Sequence, residues 1–430
     1  MENANVIGKV FSVEDFREID NQISLDLFDE TRFYNDLLYE FGKSSEEFLR
    51  ISLDEFARIF ASIDSSESRI KLEDYFVCNY RVSQDYRRHF YNGFASSVKL
   101  ITFDNSLNLC NANAKRPNDT FFDDVKKIVE LVNTGKKKVR DLMKKMSSLN
   151  PQPICLNSFE KAVVVNVGFG NCCFLYNKHD VLAIDCSNKE KGRFSKKYSG
   201  RYSNNIADAI DCIKAYQGKN NFCISTFLLT HPHYDHFSGI PELASRQYLT
   251  NTPFFMNTKC ILSGSAFAVL MATLKQSNVA LIDAIIGNGM QSLSILHPQS
   301  SQPTYSNLNN LSVVSKVDVS NGSFIFPGDL EQTGWSQFCT NNSVAVNAVK
   351  NAEYYMVSHH GSLTGDYPSC FPQNPKGVYC STRSNVHSGV PANSVLNKLS
   401  NANNVKCCTE QNPACRFIEI DFATSQSTIH

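Results

Sequence analysis

Residues 228–239 read LLTHPHYDHFSG and place three of the chain's ten histidines, with one aspartate, inside six positions. His231 and His233 are two apart, so in an extended backbone their imidazoles project to the same side and can bind one cation together. Asp235 and His236 follow where the chain begins to turn, and they can contact a second cation. Because such a density is unusual for a polar surface loop, the segment predicts a metal site. Imidazole plus carboxylate suits zinc, and also manganese or iron.

The composition around this segment is that of a globular protein. Hydrophobic residues make up 42% and charged residues 20% of the chain, and 42 basic side chains balance 42 acidic ones. This balance excludes a disordered chain and gives no global attraction to nucleic acid or to an anionic membrane, although a local basic stripe could supply one. No run of about twenty apolar residues predicts a membrane span, and the first twenty residues lack a signal-peptide pattern. We therefore expect a cytoplasmic protein without membrane association, whose fifteen cysteines are mostly buried thiols rather than disulfides.

The length of the chain is sufficient for two domains, and the turn-rich stretch 147–153, SSLNPQP, is the predicted boundary. Residues 1–150 are predicted to be a mainly helical domain, since apolar residues recur at helical spacing at Phe48, Ile51 and Phe56. A basic run between 126 and 145 is either a phosphate-binding face or a solvated helix surface, and the second is commoner. No motif gives this domain a role, so a protein partner bound through residues 1–150 stays open.

Residues 155–430 have a different sequence pattern. β-branched runs such as 162–167 and 181–185 alternate with helical patterns expected at 204–216, 264–277 and 391–399. This alternation predicts an α/β or layered-sheet domain.

The segment 231–236, HPHYDH, resembles the signature of the metallo-β-lactamase superfamily, and further motifs follow in that family's order between about 160 and 422. The resemblance implies an α/β fold in the form of the metallo-β-lactamase αββα sandwich for residues 155–430, preceded by the additional N-terminal domain. It also implies that Asp185 supports the ligand loops from behind and that Asp329 bridges two metals.

Three finer motifs resemble a subgroup of that superfamily. The sequences NNLSVV at 309–314, GDLE at 328–331 and SHHGS at 358–362 are similar to the hydrolase domain of DNA-uptake competence proteins, and phosphocholine esterases share the last two. The resemblance implies that His360 is the final metal ligand, with His359 and Glu331 facing the substrate. His387 would be a further phosphate-contacting or proton-donating group, although a surface histidine fits its position equally well.

The sequence departs from the wider superfamily at one ligand. A third-motif histidine is usual between the HPHYDH segment and Asp329, and the only candidate is His297 in Leu296-His297-Pro298. It aligns better with a strand-end element than with a ligand loop. The first metal would then take only His231, His233 and Asp329 from the protein, so the site holds one or two divalent ions, zinc or manganese.

The resemblance implies hydrolysis by a metal-activated water that Asp235 orients, with His359 or His387 neutralising or protonating substrate oxygens. We expect a phosphodiester substrate, nucleic acid or nucleotide, with the basic loop 189–201 as its rim. Hydrolysis of a small ester, lactone or phosphocholine-type diester is the alternative. A regulatory or binding protein with a structural metal site is a third hypothesis, from a different class.

Overall fold

The computed structural model describes residues 3–10, 22–28, 48–52, 75–85, 90–103, 109–111, 137, 139–149, 156–188, 204–261, 265–298, 308–382, 390–399, 405–407 and 415–430. The chain divides into two compact units. The first joins Met1–Lys144 with Ile261–Gln276, and the second joins Lys145–Cys260 with Ser277–His430. Among the described residues, no helix combines the length and the apolar character that crossing a bilayer requires.

The first unit contains a six-stranded sheet with strand order β3-β2-β1-β4-β5-β6. Its strands are β1 (Asn3–Val10), β2 (Gln22–Phe28), β3 (Phe48–Ser52), β4 (Tyr75–Asp85), β5 (Phe90–Phe103) and β6 (Leu109–Asn111).

These described residues are strands and not the helices predicted for residues 1–150. Phe48 and Ile51, counted as helical spacing, lie in the five-residue strand β3, and so short an apolar run does not separate a helix from a strand. In β4, Phe76, Cys78 and Tyr80 occupy alternate positions, which is the period of a strand. Phe56 lies outside the described residues.

A helix over residues 139–147 follows this sheet in the chain. Val139, Leu142, Met143 and Met146 are buried at the spacing of one helical face. Lys137, Arg140, Lys144 and Lys145 of the basic run are exposed, which fits a solvated helix surface at these positions.

The second unit contains two sheets. The eight-stranded sheet has the order β12-β11-β10-β9-β8-β7-β19-β20, and the six-stranded sheet has the order β13-β14-β15-β16-β17-β18. The strands are β7 (Lys161–Val165), β8 (Cys172–Tyr176), β9 (Val181–Cys186), β10 (Thr226–Leu228), β11 (Pro253–Met256), β12 (Ala280–Asp283), β13 (Leu293–His297), β14 (Val314–Val319), β15 (Gly322–Phe326), β16 (Tyr354–Met356), β17 (Gly377–Cys380), β18 (Val405–Cys407), β19 (Phe417–Asp421) and β20 (Gln426–Ile429).

Helices connect these strands. They are α1 (Asn205–Gln217), α2 (Tyr234–Phe237), α3 (Ile240–Ser245), α4 (Ser265–Gln276, grouped with the first unit), α5 (Gln332–Asn341), α6 (Ser343–Lys350) and α7 (Asn393–Leu399). α1, α4 and α7 correspond to the three predicted helices, and α7 begins two residues later than expected.

The core of the second unit lies between its two sheets. Leu182, Ile184 and Leu228 of the larger sheet share one buried cluster with residues of the smaller sheet, among them Phe324 and Tyr379. Burial of such side chains is worth about 1.5–3 kcal/mol each, so the β-branched and aromatic runs of the sequence hold the sheets face to face.

Helices cover the sheets of this unit. Trp335 of α5, Val349 of α6 and Leu399 of α7 form a second buried cluster with residues of the smaller sheet. α1 lies against β7 and buries Ala209 and Ile213. The αββα sandwich predicted for this part of the chain is therefore confirmed.

The cysteines differ from expectation at one pair. Cys339 and Cys370 form a disulfide, which joins α5 to the 3-10 turn Pro368–Cys370. Most of the other cysteines whose burial the structure describes are buried, as expected of residues that act as small core side chains.

Candidate metal centre

The HPHYDH segment leaves the larger sheet at the carboxyl end of β10. His233 has extended backbone angles (φ −78°, ψ 148°) and is followed at once by the short helix α2. Asp235 and His236 therefore lie on the first turn of α2, after the bend that the sequence predicted. All four ligand-type side chains are buried, so they form part of the interior rather than a histidine-rich surface loop.

The smaller sheet brings two more candidate ligands to the same place. Asp329 follows β15 and His360 follows β16, and these two strands are parallel neighbours. Because the carboxyl ends of parallel strands meet at one edge of a sheet, the two side chains lie close together. Both are about 2% exposed.

The six side chains form two groups that share Asp329. In the four-residue group, one ligand atom each from Asp235, His236, Asp329 and His360 lies within 4.8 Å of the others. The three-residue group joins His231 and His233 to Asp329 under the same limit.

The distances in the four-residue group fit a tetrahedral ion. Oδ2 of Asp329 lies 3.2 Å from Nε2 of His236 and 3.5 Å from Nε2 of His360. Oδ2 of Asp235 lies 3.3 Å from Nε2 of His360 and 3.9 Å from Nε2 of His236. Two ligands that are each about 2.0–2.1 Å from a tetrahedral zinc lie about 3.3 Å apart, so a cation fits without a large rearrangement.

Several ligand atoms of this group are buried without a hydrogen-bond partner among the described residues. They are Nε2 of His236, Nε2 of His360 and Oδ1 of Asp329. Since buried polar atoms of native proteins are almost always hydrogen-bonded, three such atoms at one point require an explanation. A cation bound by these atoms is the simplest one.

Asp185 fixes one of the ligands from behind. It is the penultimate residue of β9, has a left-handed backbone (φ 53°) and is fully buried. Its Oδ2 lies 2.7 Å from Nδ1 of His236, and its two oxygens accept hydrogen bonds from the backbone N–H and the hydroxyl of Thr230 at 2.8 Å. This contact turns Nε2 of His236 toward the ligand group, as the sequence resemblance implied.

Ser381, which no sequence motif marks, fixes another ligand. Nδ1 of His360 lies 2.9 Å from the backbone carbonyl of Ser381, and the Ser381 hydroxyl donates to the carbonyl of Gly170. Because a backbone carbonyl is present at every residue, no side-chain signal marks such a partner in the sequence.

Gly170 belongs to the turn Gly168-Phe169-Gly170, directly before Asn171. Both glycines have positive φ, 81° and 115°. A Cβ on Gly170 would lie 2.2 Å from the backbone oxygen of Asp235, and that oxygen accepts a hydrogen bond from the Asn171 N–H. The glycine therefore lets this turn support the backbone of a ligand.

Burial and neighbouring charges set the protonation of the centre. Burial by itself would raise the pKa of Asp329, but the surrounding imidazoles, led by His236 and His360, hold it well below its usual range. Burial opposes charge on His236, yet Asp329, Asp185 and Asp235 raise its pKa well above the usual value. The pKa of His360 is raised in the same way, chiefly by Asp329.

His231 has the opposite shift. Burial, followed by the positive charges of His236 and His233, places the pKa of His231 well below its usual value. His231 is therefore a neutral imidazole, which is the form that binds a metal.

His359 and Glu331 lie beside the ligand groups rather than within them. His359, His360 and Gly361 have consecutive positive φ angles of 47°, 52° and 80°, a conformation that costs non-glycine residues about 1–3 kcal/mol each. Nε2 of His359 lies 3.9 Å from Oδ2 of Asp329, and its Nδ1 lies 3.5 Å from Oε1 of Glu331. The structure thus groups His360 with the candidate ligands and leaves His359 more exposed beside them.

The remaining predicted residues are not part of the described centre. His297 is buried, and its Nε2 lies 3.3 Å from the carbonyl of Asn310. Burial lowers the pKa of His297 to about 4, so it is a neutral core histidine outside both ligand groups. His387 and the basic loop 189–201 lie outside the described residues.

No protein-family model and no curated protein matches this sequence. Solved structures are similar to it at low identity. YhfI from Bacillus subtilis, a metallo-β-lactamase fold protein, is 10% identical over 57% of this chain and 95% of that chain, with a TM-score of 0.33. A diphosphatase of the PhnP family is 9% identical over 54% and 92%, with a TM-score of 0.30. The subclass B3 metallo-β-lactamase MEM-A1, from a soil metagenome library, is 11% identical over 50% and 83%, with a TM-score of 0.29. These likenesses are distant, so the reaction has to be inferred from the residues of the site.

Proposed function

We propose that this chain is a metal-dependent hydrolase that holds two divalent cations in the two ligand groups. One observation carries the proposal. The carboxylate of Asp329 belongs to both groups, and the ligand atoms of each group lie within 4.8 Å of one another. A shared carboxylate between two clusters of buried imidazoles is the arrangement that a two-metal site needs.

The donor atoms favour zinc or manganese, because imidazole nitrogens with carboxylate oxygens suit both ions. When bound, a pair of such ions lowers the pKa of a bound water and neutralises charge that develops on substrate oxygens. The protein's own contribution is to hold the ligands in place. Asp185 orients His236 and the Ser381 carbonyl orients His360, while Asp235 has a carboxylate within the group that is able to orient a water.

We propose a phosphodiester substrate, either nucleic acid or a nucleotide. The support is the likeness of the GDLE and SHHGS motifs to competence-type hydrolase domains, and the position of His359 and Glu331 beside Asp329 with partly exposed side chains. An imidazole at this point is able to neutralise or protonate a phosphoryl oxygen. A small ester, a lactone or a phosphocholine-type diester is the competing substrate class.

The test combines metal content with turnover. Purified protein is loaded with zinc or with manganese, its metal content is measured by mass spectrometry, and hydrolysis of bis-p-nitrophenyl phosphate is followed for wild type and Asp235→Asn. Asp211→Asn is the matched control, because this aspartate lies on α1 and its side chain is 69% exposed. We expect metal-dependent turnover in wild type and control, and its loss in Asp235→Asn.

The outcomes separate the hypotheses. Bound metal with hydrolysis of p-nitrophenyl acetate but not of the diester would favour the small-ester class. Bound metal without turnover of either compound would favour a binding protein with a structural metal site. Absence of bound metal in wild type under every loading condition would refute the proposal.

A further inference from the structure

Asn309 lies behind the two residues that flank the metal centre. It belongs to the 3-10 turn Leu308–Leu311 and is 2% exposed, whereas the side chains of Glu331 and His359 are 19% and 21% exposed. A buried carboxamide therefore supports two side chains that reach the solvent-facing side of the centre.

The hydrogen bonds define how the carboxamide is oriented. Nδ2 of Asn309 lies 3.0 Å from Oε1 of Glu331 and 3.4 Å from Nε2 of His359. An ionised carboxylate only accepts hydrogen bonds, so the amide nitrogen and not the amide oxygen faces Glu331. The two N–H bonds of that nitrogen are then directed to Glu331 and to His359.

The second nitrogen of His359 completes the assignment. Nδ1 of His359 lies 2.7 Å from the hydroxyl of Thr364. If Nε2 accepts from Asn309, Nδ1 carries the ring proton and donates it to that hydroxyl. Asn309 and Thr364 together select the Nδ1–H tautomer, whose Nε2 lone pair accepts the hydrogen bond from Asn309.

The turn that carries Asn309 is itself tied to the metal centre through Ser312. The Ser312 N–H donates to the carbonyl of Asn309, and the Ser312 hydroxyl accepts from the backbone N–H of Asp329 at 3.1 Å. The neighbouring Asn310 accepts from the N–H of Gly334 in α5. The position of Asn309 is thereby fixed relative to Asp329.

We propose that Asn309 is a positioning residue that holds Glu331 and His359 as one substrate-facing pair. This inference rests on the proposed hydrolase function for its activity readout. Asparagine suits the role because one nitrogen supplies two donors; aspartate at this position would supply none and would place a second carboxylate against Glu331. Both hydrogen bonds described for the Asn309 side chain go to the flanking pair, Glu331 and His359, so we expect its loss to affect that pair and to leave metal binding unchanged.

The activity test is a mutant cycle on the metal-loaded protein, with bis-p-nitrophenyl phosphate as substrate. We expect Asn309→Asp and Asn309→Ala to lower kcat/KM about 10–100-fold, the usual cost of removing an orienting partner, with metal content unchanged. The matched control is Asn347→Asp on the exposed face of α6, which should behave as wild type. In a Glu331→Ala, His359→Ala background, Asn309→Ala should change kcat/KM less than about twofold, because residues that act through one another are not additive.

A merely structural asparagine gives a different result. Asn309→Ala would then lower kcat/KM by the same factor in the wild-type and in the Glu331→Ala, His359→Ala background, which would overturn the proposal. Full activity of Asn309→Asp would overturn it as well.

A second experiment, NMR spectroscopy, tests the inference without a measurement of turnover. Nitrogen-15 NMR of histidine-labelled, zinc-loaded protein should show His359 as the Nδ1–H tautomer in wild type and as a different or mixed tautomer in Asn309→Asp. An unchanged His359 signal would contradict the role of Asn309. Absence of metal-dependent turnover in wild type would instead count against the proposed function alone.

Discussion

The two ligand groups share Asp329 but differ in how they are held. In the four-residue group, both imidazoles have an outer partner, since Nδ1 of His236 contacts Asp185 and Nδ1 of His360 contacts the Ser381 carbonyl. In the three-residue group, Nδ1 of His231 lies 3.2 Å from the Thr230 hydroxyl, and no third imidazole joins the group among the described residues. One group is oriented by charged and backbone partners, and the other has one protein ligand fewer.

This difference indicates that the two ligand groups have different roles. A tetrahedral cation in the four-residue group would have its ligands supplied by the protein, whereas one in the three-residue group would keep a position for water or substrate. Closed sets are typical of tight sites and open sets of catalytic ones. We therefore expect the four-residue group to bind its ion more tightly.

Removal of the shared ligand should have the largest effect. Asp329→Asn takes the bridging charge from both groups, so both metal equivalents should be lost or strongly weakened. Turnover should fall by more than the roughly 10–100-fold that removal of an outer partner costs. Metal content and hydrolysis of the diester measure the two effects, with Asp211→Asn as the control. Retention of one equivalent at wild-type affinity would show that Asp329 does not serve both groups.

A matched pair of variants tests the contrast itself. His360→Ala removes a ligand from the four-residue group only, and His231→Ala removes one from the three-residue group only. We expect His360→Ala to lose the tighter equivalent and His231→Ala to lose the weaker one, as read by competition with a zinc indicator. The reverse order would mean that ligand number does not set the affinity of these groups.

Asp185→Asn should have a smaller and more local effect. Asparagine has one side-chain acceptor where Asp185 uses two oxygens toward Thr230 and His236. Loss of a supporting carboxylate costs about 10–100-fold in metal affinity or activity, and we expect this loss at the tighter equivalent. Asparagine adopts the left-handed backbone of this position readily, so the melting temperature should reveal little backbone strain. Equal weakening of both equivalents would argue against the assignment of Asp185 to one group.

The part of the centre that could be predicted from the sequence is the part that is continuous in sequence. His231, His233, Asp235 and His236 could be predicted to lie together because extended-backbone alternation followed by a turn brings their side chains close without any knowledge of the rest of the chain. The strand runs around them predicted an α/β or layered-sheet domain, since strands such as β8 and β9 are buried along their length. The sandwich itself was implied only by the family resemblance.

The backbone partners that orient the ligands leave a weaker signal in the sequence. The hydroxyl of Ser381 and the carbonyl of Gly170 are 211 positions apart, and neither group has a residue type that marks a metal site. His359 and His360 were separable only by resemblance, because a left-handed turn, and not any regular period, decides which imidazole enters the ligand group. In the N-terminal unit, short apolar strands such as β3 mimic helical spacing, so local periodicity led to the wrong element.

Proton release on metal binding should be the smallest effect, and it should differ between the four-residue and the three-residue group. The pKa of His236 and of His360 is raised, with Asp329 as the leading opposing influence to burial, so the metal-free four-residue group carries protons near neutral pH. These protons must leave when a cation binds, and affinity should therefore rise with pH. The pKa of His231 is lowered by burial and by neighbouring imidazoles, so His231 has no proton to release.

Calorimetric zinc titrations near pH 7, in two buffers of different ionisation enthalpy, measure this proton release. They should give about one to two protons for His231→Ala, which keeps the four-residue group. His360→Ala, which keeps the three-residue group, should release fewer. Equal proton release from the two variants would mean that the carboxylates around His236 do not hold it charged. It would contradict the expected difference in protonation between the two ligand groups.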